Sequence, residues 1–201
     1  VGGEIREQVR YYYHQNHGDT PGYPDEDLYL LQRFLLHADL TAGKHFRVFA
    51  QAGSMHASWK NSLAHIDKDQ LTVMQAFAEV KTEGALSFQL RVGRQDMSYA
   101  NERMLGTREG PNVRQPFDGV QVPLAGRRAR ADVFVVAPMI YEYGVFDNPI
   151  NRDVQFFGTY GSVAGKKQGT LDVYYLGRHR SLTTAVCETA EEWRHTFGIR
   201  H

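Results

Sequence analysis

Apolar and polar residues alternate with a period of two along most of the chain. In residues 86–92, for example, leucine, phenylalanine and valine alternate with serine, glutamine and arginine. This period puts the two kinds of side chain on opposite faces of a β-strand. Turn residues separate such runs, and the pattern predicts roughly ten strands: residues 4–10, 28–40, 46–52, 70–80, 85–97, 120–124, 129–141, 153–163, 170–178 and 192–201. Residues 181–192 fit either a short helix or another loop.

Strands that are apolar on one face and polar on the other fit two all-β architectures. In a soluble β-sandwich the apolar face is the core, whereas in a transmembrane barrel it contacts lipid and the polar face lines water. Connections alternate in length, as in barrels with short periplasmic turns and longer outer loops: the short ones lie around Gly43, Gly84 and Gly126, and the long ones cover residues 16–27, 57–70 and 98–117. Tyrosines near the expected strand ends also fit the aromatic girdle of a barrel: Tyr11, Tyr12, Tyr13, Tyr141, Tyr143, Tyr174 and Tyr175. The pattern alone leaves both architectures open.

Composition narrows the class of protein. The 201 residues suffice for one domain with a substantial core. Lysine and arginine total 23, as do aspartate and glutamate, so no overall charge points to nucleic acid as a partner. Cys187 is the only cysteine, which excludes a disulfide within the chain. No apolar run reaches the ~18 residues of a transmembrane helix. From its first and last residues, Val1 and His201, we expect a single β-barrel domain over residues 1–201 that is incomplete at both ends.

The charge is nevertheless concentrated locally. Residues 91–130 contain eight arginines and no lysine, against four acidic residues, a local excess of +4. Arginine stays ionised, and its planar fork of donors matches carboxylate or phosphate, so the bias favours an anion site. The alternative is that arginines and acids of this segment pair and stiffen a loop: Arg103, Arg108 and Arg114 with Glu102, Glu109 and Asp118. The two interpretations are compatible, since a paired loop can still leave surplus positive charge facing a lumen.

Residues 93–120 read GRQDMSYANERMLGTREGPNVRQPFDGV, a GRQ-type strand end that runs into a loop rich in glycine, proline and arginine. This segment resembles the signature region of the alginate-export family of outer-membrane β-barrels. The match is REGPNVRQPFDG, with Gln115-Pro116 where the family more often has Arg-Ser. The opening GEIREQ and the closing RHTFGIR are similar to family strands. The resemblance implies an antiparallel transmembrane β-barrel, or a large part of one, in the outer membrane of a Gram-negative bacterium.

The resemblance also implies a passive channel in which arginines of a narrowed pore attract the carboxylates of an exported acidic polysaccharide such as alginate. The motif then gives four substrate-binding arginines: Arg94, Arg103, Arg108 and Arg114. Arginines on the polar faces of wall strands are weaker candidates: Arg6, Arg33, Arg47 and Arg91. Glu109 and Asp118 would act as counter-carboxylates that keep binding weak enough for the polymer to move on. The Gln115-Pro116 departure removes one possible cation and leaves the exact polymer open.

No residue pattern indicates an enzyme, a cofactor or a metal site. A GxSxG elbow and the GK[ST] ending of a P-loop are absent, and the nine histidines form no set with ligand spacing. Expected partners are an anionic polysaccharide or small anions, outer-membrane lipid and periplasmic secretion proteins. Three alternatives stay open: a general anion-selective porin, a soluble β-sandwich that binds acidic glycans and, more remotely, a polysaccharide lyase. An apolar strand face that points outward favours the membrane, and one that points inward favours the sandwich.

Overall fold

The computed structural model describes residues 1–13, 26–99, 102, 105–165, 169–184 and 189–201, with the backbone alone for 182–184 and 189. These residues form ten strands and no helix. No helix in this part of the chain is long and apolar enough to cross a membrane. The strands are β1 (Gly2–Tyr13), β2 (Glu26–Ala42), β3 (Phe46–Ser58), β4 (Asp69–Lys81), β5 (Ser87–Gln95), β6 (Phe117–Ala125), β7 (Ala129–Pro138), β8 (Val154–Ala164), β9 (Thr170–Thr184) and β10 (Thr189–Arg200).

All ten strands belong to one sheet, in which each strand pairs antiparallel with its neighbours in sequence. Such a meander forms when every connection joins adjacent strands. The all-β antiparallel fold expected from the sequence is thereby confirmed. The sheet is open, because no pairing joins β1 to β10 among the described residues. The same residues form no second sheet, so the sandwich alternative lacks its opposing layer.

The strand boundaries differ from the sequence predictions mainly at the long connections. Strand β9 continues to Thr184 and β10 begins at Thr189, so most of residues 181–192 is neither helix nor loop; residues 185–188 lie outside the described part. Strand β7 ends at Pro138, three residues before the predicted end. The alternation of short and long connections is confirmed for β2 to β8, while the expected long loop at residues 16–27 lies largely outside the described residues.

The polar face of the sheet is the covered one. In β1, Glu4 and Arg6 are partly buried, whereas Ile5 and Val9 on the opposite face are 74% and 72% exposed. The pairing register carries this division across the sheet. We call the covered side the inner face and the other the outer face. Large exposed side chains of the outer face include Leu36, Leu40, Val48, Val92, Val135, Val173, Phe197 and Ile199. The apolar face therefore points outward, the reverse of a soluble sandwich.

The β5–β6 loop, residues 96–116, folds onto the inner face. Near its end, Val113 is fully buried against Leu35, Met55 and Met74 from β2, β3 and β4, with Met139 beside them. These apolar residues lie among the polar side chains of the inner face at the place that the loop covers. The loop is thus held to one half of the sheet by a small hydrophobic core.

The start of the same loop covers the other half of the inner face. The ring of Tyr99 stacks on Phe134 of β7 and packs at a tilt against Tyr160 of β8, with centroid separations of 5.1 and 5.2 Å. Leu105 of the loop and Leu176 of β9 belong to the same buried cluster. The described parts of the loop therefore cover the inner face from β2 to β9.

The first residues of β4 have no partner in β5, because the chain leaves the sheet at the end of that strand. There the upper edge of β4 pairs with the β7–β8 connection, residues 139–153. Gln70 and Leu71 donate their N–H groups to the carbonyls of Tyr143 and Gly144, and Phe146 donates back to Leu71. This connection thus occupies the position that a longer β5 would fill.

Two glycines allow β5 and β6 to approach their neighbours at this point. Gly93 and Gly119 are cross-strand partners, with φ of 128° and 156°. A Cβ at Gly93 would lie 2.2 Å from the carbonyl oxygen of Ala76, and one at Gly119 would lie 2.3 Å from that of Val135. Residues with a side chain rarely adopt these backbone angles, so both positions require glycine.

The tyrosines do not form a single girdle. Tyr11 is exposed on the outer face, but Tyr141 packs against the Val113 cluster. Tyr174 lies on the inner face, where its ring stacks on Tyr160 and covers Gly198. The girdle expectation is therefore wrong for Tyr141 and Tyr174, because Tyr174 faces the side opposite to Tyr175 in β9 and Tyr141 lies beyond the end of β7.

Candidate functional site

Charged side chains fasten the β5–β6 loop to the first two strands. Arg33 of β2 is 2% exposed; its guanidinium donates to Glu4 of β1 at 2.7 Å and to Glu109 of the loop at 2.8 Å. Arg114 of the loop lies 3.0 Å from Glu109, 3.2 Å from Glu4 and 3.5 Å from Asp96. Most of these ion pairs join the loop to β1 or β2, or join two parts of the loop.

Arg6 of β1 joins the set through the loop backbone. Its guanidinium donates to the carbonyls of Glu109 and Pro111 at 2.9 and 3.1 Å and lies 3.9 Å from the Glu109 carboxylate. We call these residues the arginine clamp: Arg6, Arg33 and Arg114 with Glu4, Asp96 and Glu109. Three cations meet three anions, so the clamp as a whole is neutral when all six are ionised.

The two loop carboxylates of the clamp have different proton affinities. Burial pushes the pKa of Glu109 upward, but the hydrogen bond from Arg33 and the charges of Arg114, Arg33 and Arg6 hold that pKa below its ordinary value. Burial raises the pKa of Asp96 to about 6, and the charge of Arg114 offsets this only in part. Asp96 therefore takes up a proton more easily than Glu109 does.

Asn112 anchors the loop without charge. Its side chain is fully buried, and its amide nitrogen lies 3.0 Å from the carbonyl oxygens of Gln32 in β2, His56 in β3 and Asp67 in the β3–β4 connection. The N–H of the next residue, Val113, donates to Ile66 at 2.9 Å. The two N–H hydrogens of the amide are shared among three carbonyls from three different segments, which fixes this point of the loop in position.

Arg94, at the end of β5, contacts three segments that meet there: β4, β6 and the β7–β8 connection. Its guanidinium makes a forked contact with Asp118 of β6, at 3.0 and 2.8 Å. It also donates to the carbonyls of Val73 in β4 and Asn148 in the β7–β8 connection, both at 3.1 Å. Most of its donors are thus used within the protein, which indicates a structural position for the Arg94–Asp118 pair.

Arg47 and Arg91 lie on the inner face near the short turns. Arg91 donates to Glu79 at 2.7 Å, and Arg47 pairs with Asp39 at 2.8 Å while lying 3.8 Å from Glu79. Both guanidinium groups stack over the ring of Phe77. The expected position on the polar face is confirmed for both, and their charges are balanced by the two carboxylates.

Arg108 is the described loop arginine that stays exposed. It has no ion pair or hydrogen bond to any described residue, and it adopts a left-handed backbone with φ of 58°. It lines a cavity of about 360 Å³ between the loop and β8–β9, opposite Phe156 and Arg178. Arg103, the fourth arginine implied by the motif, lies outside the described residues.

A second cavity of about 250 Å³ adjoins the first, and both are lined by Leu105, Phe156 and Arg178. Arg194 of β10 lines the second. Arg178 and Arg194 share one carboxylate, Glu192, at 3.7 and 2.7 Å. We call the two together the loop-side cavity. Arg108, Arg178 and Arg194 give it an excess of cations over Glu102 and Glu192, and it can therefore attract an anion.

Arg178 and Arg194 were not among the sequence candidates. The alternation of β9 puts Arg178 on the face of Asp172 and Tyr174, which could have marked it as inward-facing. Its approach to Arg108 depends on how the loop folds, for which the chain carries no local signal. Over the described ranges, no group of three histidine, cysteine, aspartate or glutamate side chains could hold a metal ion.

Comparison with known proteins gives a family. No curated protein and no solved structure shows significant similarity to the chain. The family model described as alginate export matches residues 1–201, the whole chain. This match agrees with the single antiparallel sheet, its inverted faces and the signature-like loop on its inner side. The chain belongs to the alginate export family.

Proposed function

We propose that this chain forms the wall and internal loop of an outer-membrane channel that exports an acidic polysaccharide, alginate or a similar polyuronate. Family membership supports the polymer class, and the open ten-stranded meander is of the kind from which barrels are built. The observation that carries the proposal is the inversion of the sheet, whose apolar face points outward and whose charged face is covered.

The outer face supports the membrane location. Ile5 of β1, Leu36 of β2 and Phe197 of β10 are 74%, 64% and 76% exposed. All three lie on the outer face of the same sheet. Each exposed large apolar side chain forgoes roughly 1.5 to 3 kcal/mol of burial in water. A face made of many such residues is stable when it contacts lipid hydrocarbon, with the charged face lining an aqueous lumen.

The loop-side cavity supports anion transport. Arg108, Arg178 and Arg194 lie beside Phe156 and Leu105, so their charges act next to a low-dielectric surface that strengthens the field. A uronate carboxylate meets cations that are only partly compensated by Glu102 and Glu192. Such contacts attract each sugar unit and release it again, as stepwise conduction of a polymer requires.

The arginine clamp has a supporting role in this proposal. Its arginines and carboxylates pair with one another, and these pairs hold the β5–β6 loop across the inner face. The loop thereby narrows the lumen and places Arg108 opposite Arg178. Of the arginines implied by the family motif, Arg108 is proposed to contact the polymer, while Arg94 and Arg114 are proposed to hold the loop and wall in place.

The test is ion selectivity of the refolded channel in a planar bilayer. We expect the unmodified channel to prefer anions, and Arg108→Gln with Arg178→Gln to lose most of that preference. Arg152→Gln removes an exposed arginine that lines neither part of the cavity, so it serves as the matched control and keeps the preference. A channel whose selectivity ignores the double substitution would remove this site, and a chain that stays soluble as a monomer would overturn the membrane location.

A further inference from the structure

A separate cavity of about 590 Å³ opens at the end of the sheet where the short turns lie. It is bounded by the β6–β7 turn, with Gly126 and Arg127, and by Ala164 and Thr170 at the base of the β8–β9 turn. Its volume falls within the range of roughly 300 to 1,000 Å³ found for small-molecule sites. We call it the short-turn cavity.

The short-turn cavity carries surplus positive charge. Four arginines line it, Arg127, Arg128, Arg130 and Arg200, against two aspartates, Asp132 and Asp172. The first three of these arginines are exposed, and their guanidinium groups make no ion pair or hydrogen bond with any described residue. Arginine side chains that converge on a cavity without protein partners are suited to bind an anion from solution.

The carboxylate of Asp172 does not compensate these charges. It is 2% exposed and accepts hydrogen bonds from Tyr160 at 2.7 Å, Ser162 at 2.7 Å and Arg200 at 2.9 Å. Its charge is therefore neutralised by Arg200 and two hydroxyl groups. This leaves Asp132 as the one aspartate of the lining beside Arg127, Arg128 and Arg130.

An aromatic layer separates this cavity from the loop-side cavity. The rings of Tyr99, Tyr160 and Tyr174 pack in succession, the first pair tilted and the second stacked, with centroids 5.2 and 5.7 Å apart. Tyr99 and Tyr160 line the short-turn cavity, whereas Leu105 and Leu176 of the same buried cluster line the loop-side cavity. The two cavities share no lining residue. A polymer that passed between them would have to displace or slide past this layer.

We propose that the short-turn cavity is a distinct binding site for the carboxylate of a uronate residue, which captures the polymer before it reaches the loop. This inference rests on the proposed function. Short turns of outer-membrane barrels face the periplasm, the side from which an exported polymer arrives. Arg127, Arg128 and Arg130 bind the carboxylate, and Ser98 and the rim of Tyr99 contact the sugar ring.

The experiment records block of the single-channel current by a mannuronate trimer added to one side of a phosphatidylcholine bilayer at a time. Orientation is assigned with a membrane-impermeant thiol reagent that reacts with Lys44→Cys in the short β2–β3 turn, in a Cys187→Ser background. We expect Arg127→Gln with Arg128→Gln and Arg130→Gln to lower the blocking on-rate from the short-turn side by roughly tenfold. The on-rate from the other side and the anion preference are expected to stay unchanged, as they do in Arg152→Gln.

Each other outcome overturns a stated part of the proposal. Equal on-rates in the triple variant and the unmodified channel would remove the short-turn site and leave the proposed function standing. An equal drop from both sides would show only a general charge effect and would also remove the site. A drop confined to bilayers with added phosphatidylglycerol would assign these arginines to lipid headgroups. An unmodified channel that shows neither block nor anion preference would overturn the proposed function itself. If the triple variant fails to insert, the exposed turn pair Arg127→Gln with Arg128→Gln carries the same test, with an expected drop of about threefold.

Discussion

The arginine clamp and the short-turn cavity both concentrate arginine, but they leave it in different states. In the clamp, Arg33 is almost fully buried and every cation has a carboxylate within ion-pair distance. At the short-turn cavity, Arg127, Arg128 and Arg130 are exposed and have no carboxylate at that distance among the described residues. Both regions lie within or contact the segment whose sequence shows a local excess of positive charge.

Burial explains the difference between the two regions. A buried guanidinium is stable only if its charge is paired and its donors are used. The arginines under the folded loop are therefore found next to carboxylates. An exposed guanidinium stays hydrated and needs no such partner. The clamp can therefore hold the loop but has little charge to offer a substrate, whereas the short-turn and loop-side cavities keep theirs available.

The comparison predicts its largest effect for the buried arginine of the clamp. Arg33→Ala leaves Glu4 and Glu109 without their closest cation under the loop, and we expect a loss of about 3 to 5 kcal/mol in the free energy of unfolding. Urea unfolding in detergent micelles measures it. The matched control is Arg128→Ala, which removes an exposed arginine and should change stability by less than about 0.5 kcal/mol. Equal effects of the two substitutions would contradict the distinction between the regions.

The neutral anchor of the loop is expected to matter somewhat less. Asn112→Ala leaves the carbonyls of Gln32, His56 and Asp67 without their shared donor, and about 2 to 3 kcal/mol of stability should be lost. The same urea titration applies, with limited proteolysis to detect release of the loop. Asn61→Ala removes an exposed amide that donates to one carbonyl and is the control. Loop release in the control but not in Asn112→Ala would show that the contact is misassigned.

The protonation of Asp96 should make the clamp sensitive to pH. Its ordinary pKa of 3.8 is raised to about 6 in the folded protein, so between these values the unfolded chain is ionised while the folded one still holds the proton. Stability therefore falls as pH rises from about 4 to about 6, and the loss of about 2 to 3 kcal/mol persists above that range. Glu109 acts in the opposite direction at lower pH, because its pKa is lowered and its pairs are lost on protonation.

Asp96→Asn removes this titration and is expected to flatten the fall in stability between about pH 4 and about pH 6. The midpoint of urea unfolding, followed across this range for both proteins, measures the effect. The amide oxygen of the substituted side chain can still accept the hydrogen bond that Gln75 donates to Asp96 at 3.0 Å in the native protein. A slope that is the same in the variant would assign the titration to another group.

The sheet could be predicted from the sequence because its strands carry a strict period of two. Runs such as residues 86–92 report which side chains share a face, and turn residues mark most strand ends. The direction of the faces could not be read from the same pattern, since a lipid-facing and a core-facing apolar surface are equally alternating. The direction is given by the β5–β6 loop, which covers the polar face and leaves the apolar face exposed.

The candidate site was less predictable, because its partners are distant in sequence. The local excess of arginine around Arg114 is real, yet its carboxylates include Glu4 from β1. Of the acids near it in sequence, Glu109 pairs with Arg114 as the loop-stiffening alternative expected, whereas Glu102 does not. Likewise Arg178 and Arg108 line the same cavity only because the loop folds onto the inner face. Contacts of this range depend on the whole register of the sheet, which local spacing does not determine.

The smallest expected effect on stability concerns the exposed arginine of the loop and separates its charge from its backbone. Arg108 has a left-handed φ of 58°, which glycine adopts without strain. Arg108→Gly should therefore stabilise the folded protein by about 0.5 to 1 kcal/mol relative to Arg108→Gln, while both variants lose the same charge from the loop-side cavity. Unfolding measurements and ion selectivity on the same pair test both statements. If anion preference falls equally in the two variants although their stabilities differ, the guanidinium itself attracts the anion. If preference follows stability instead, the conformation of the loop controls conduction, and Arg108 belongs with the clamp rather than with the exposed arginines.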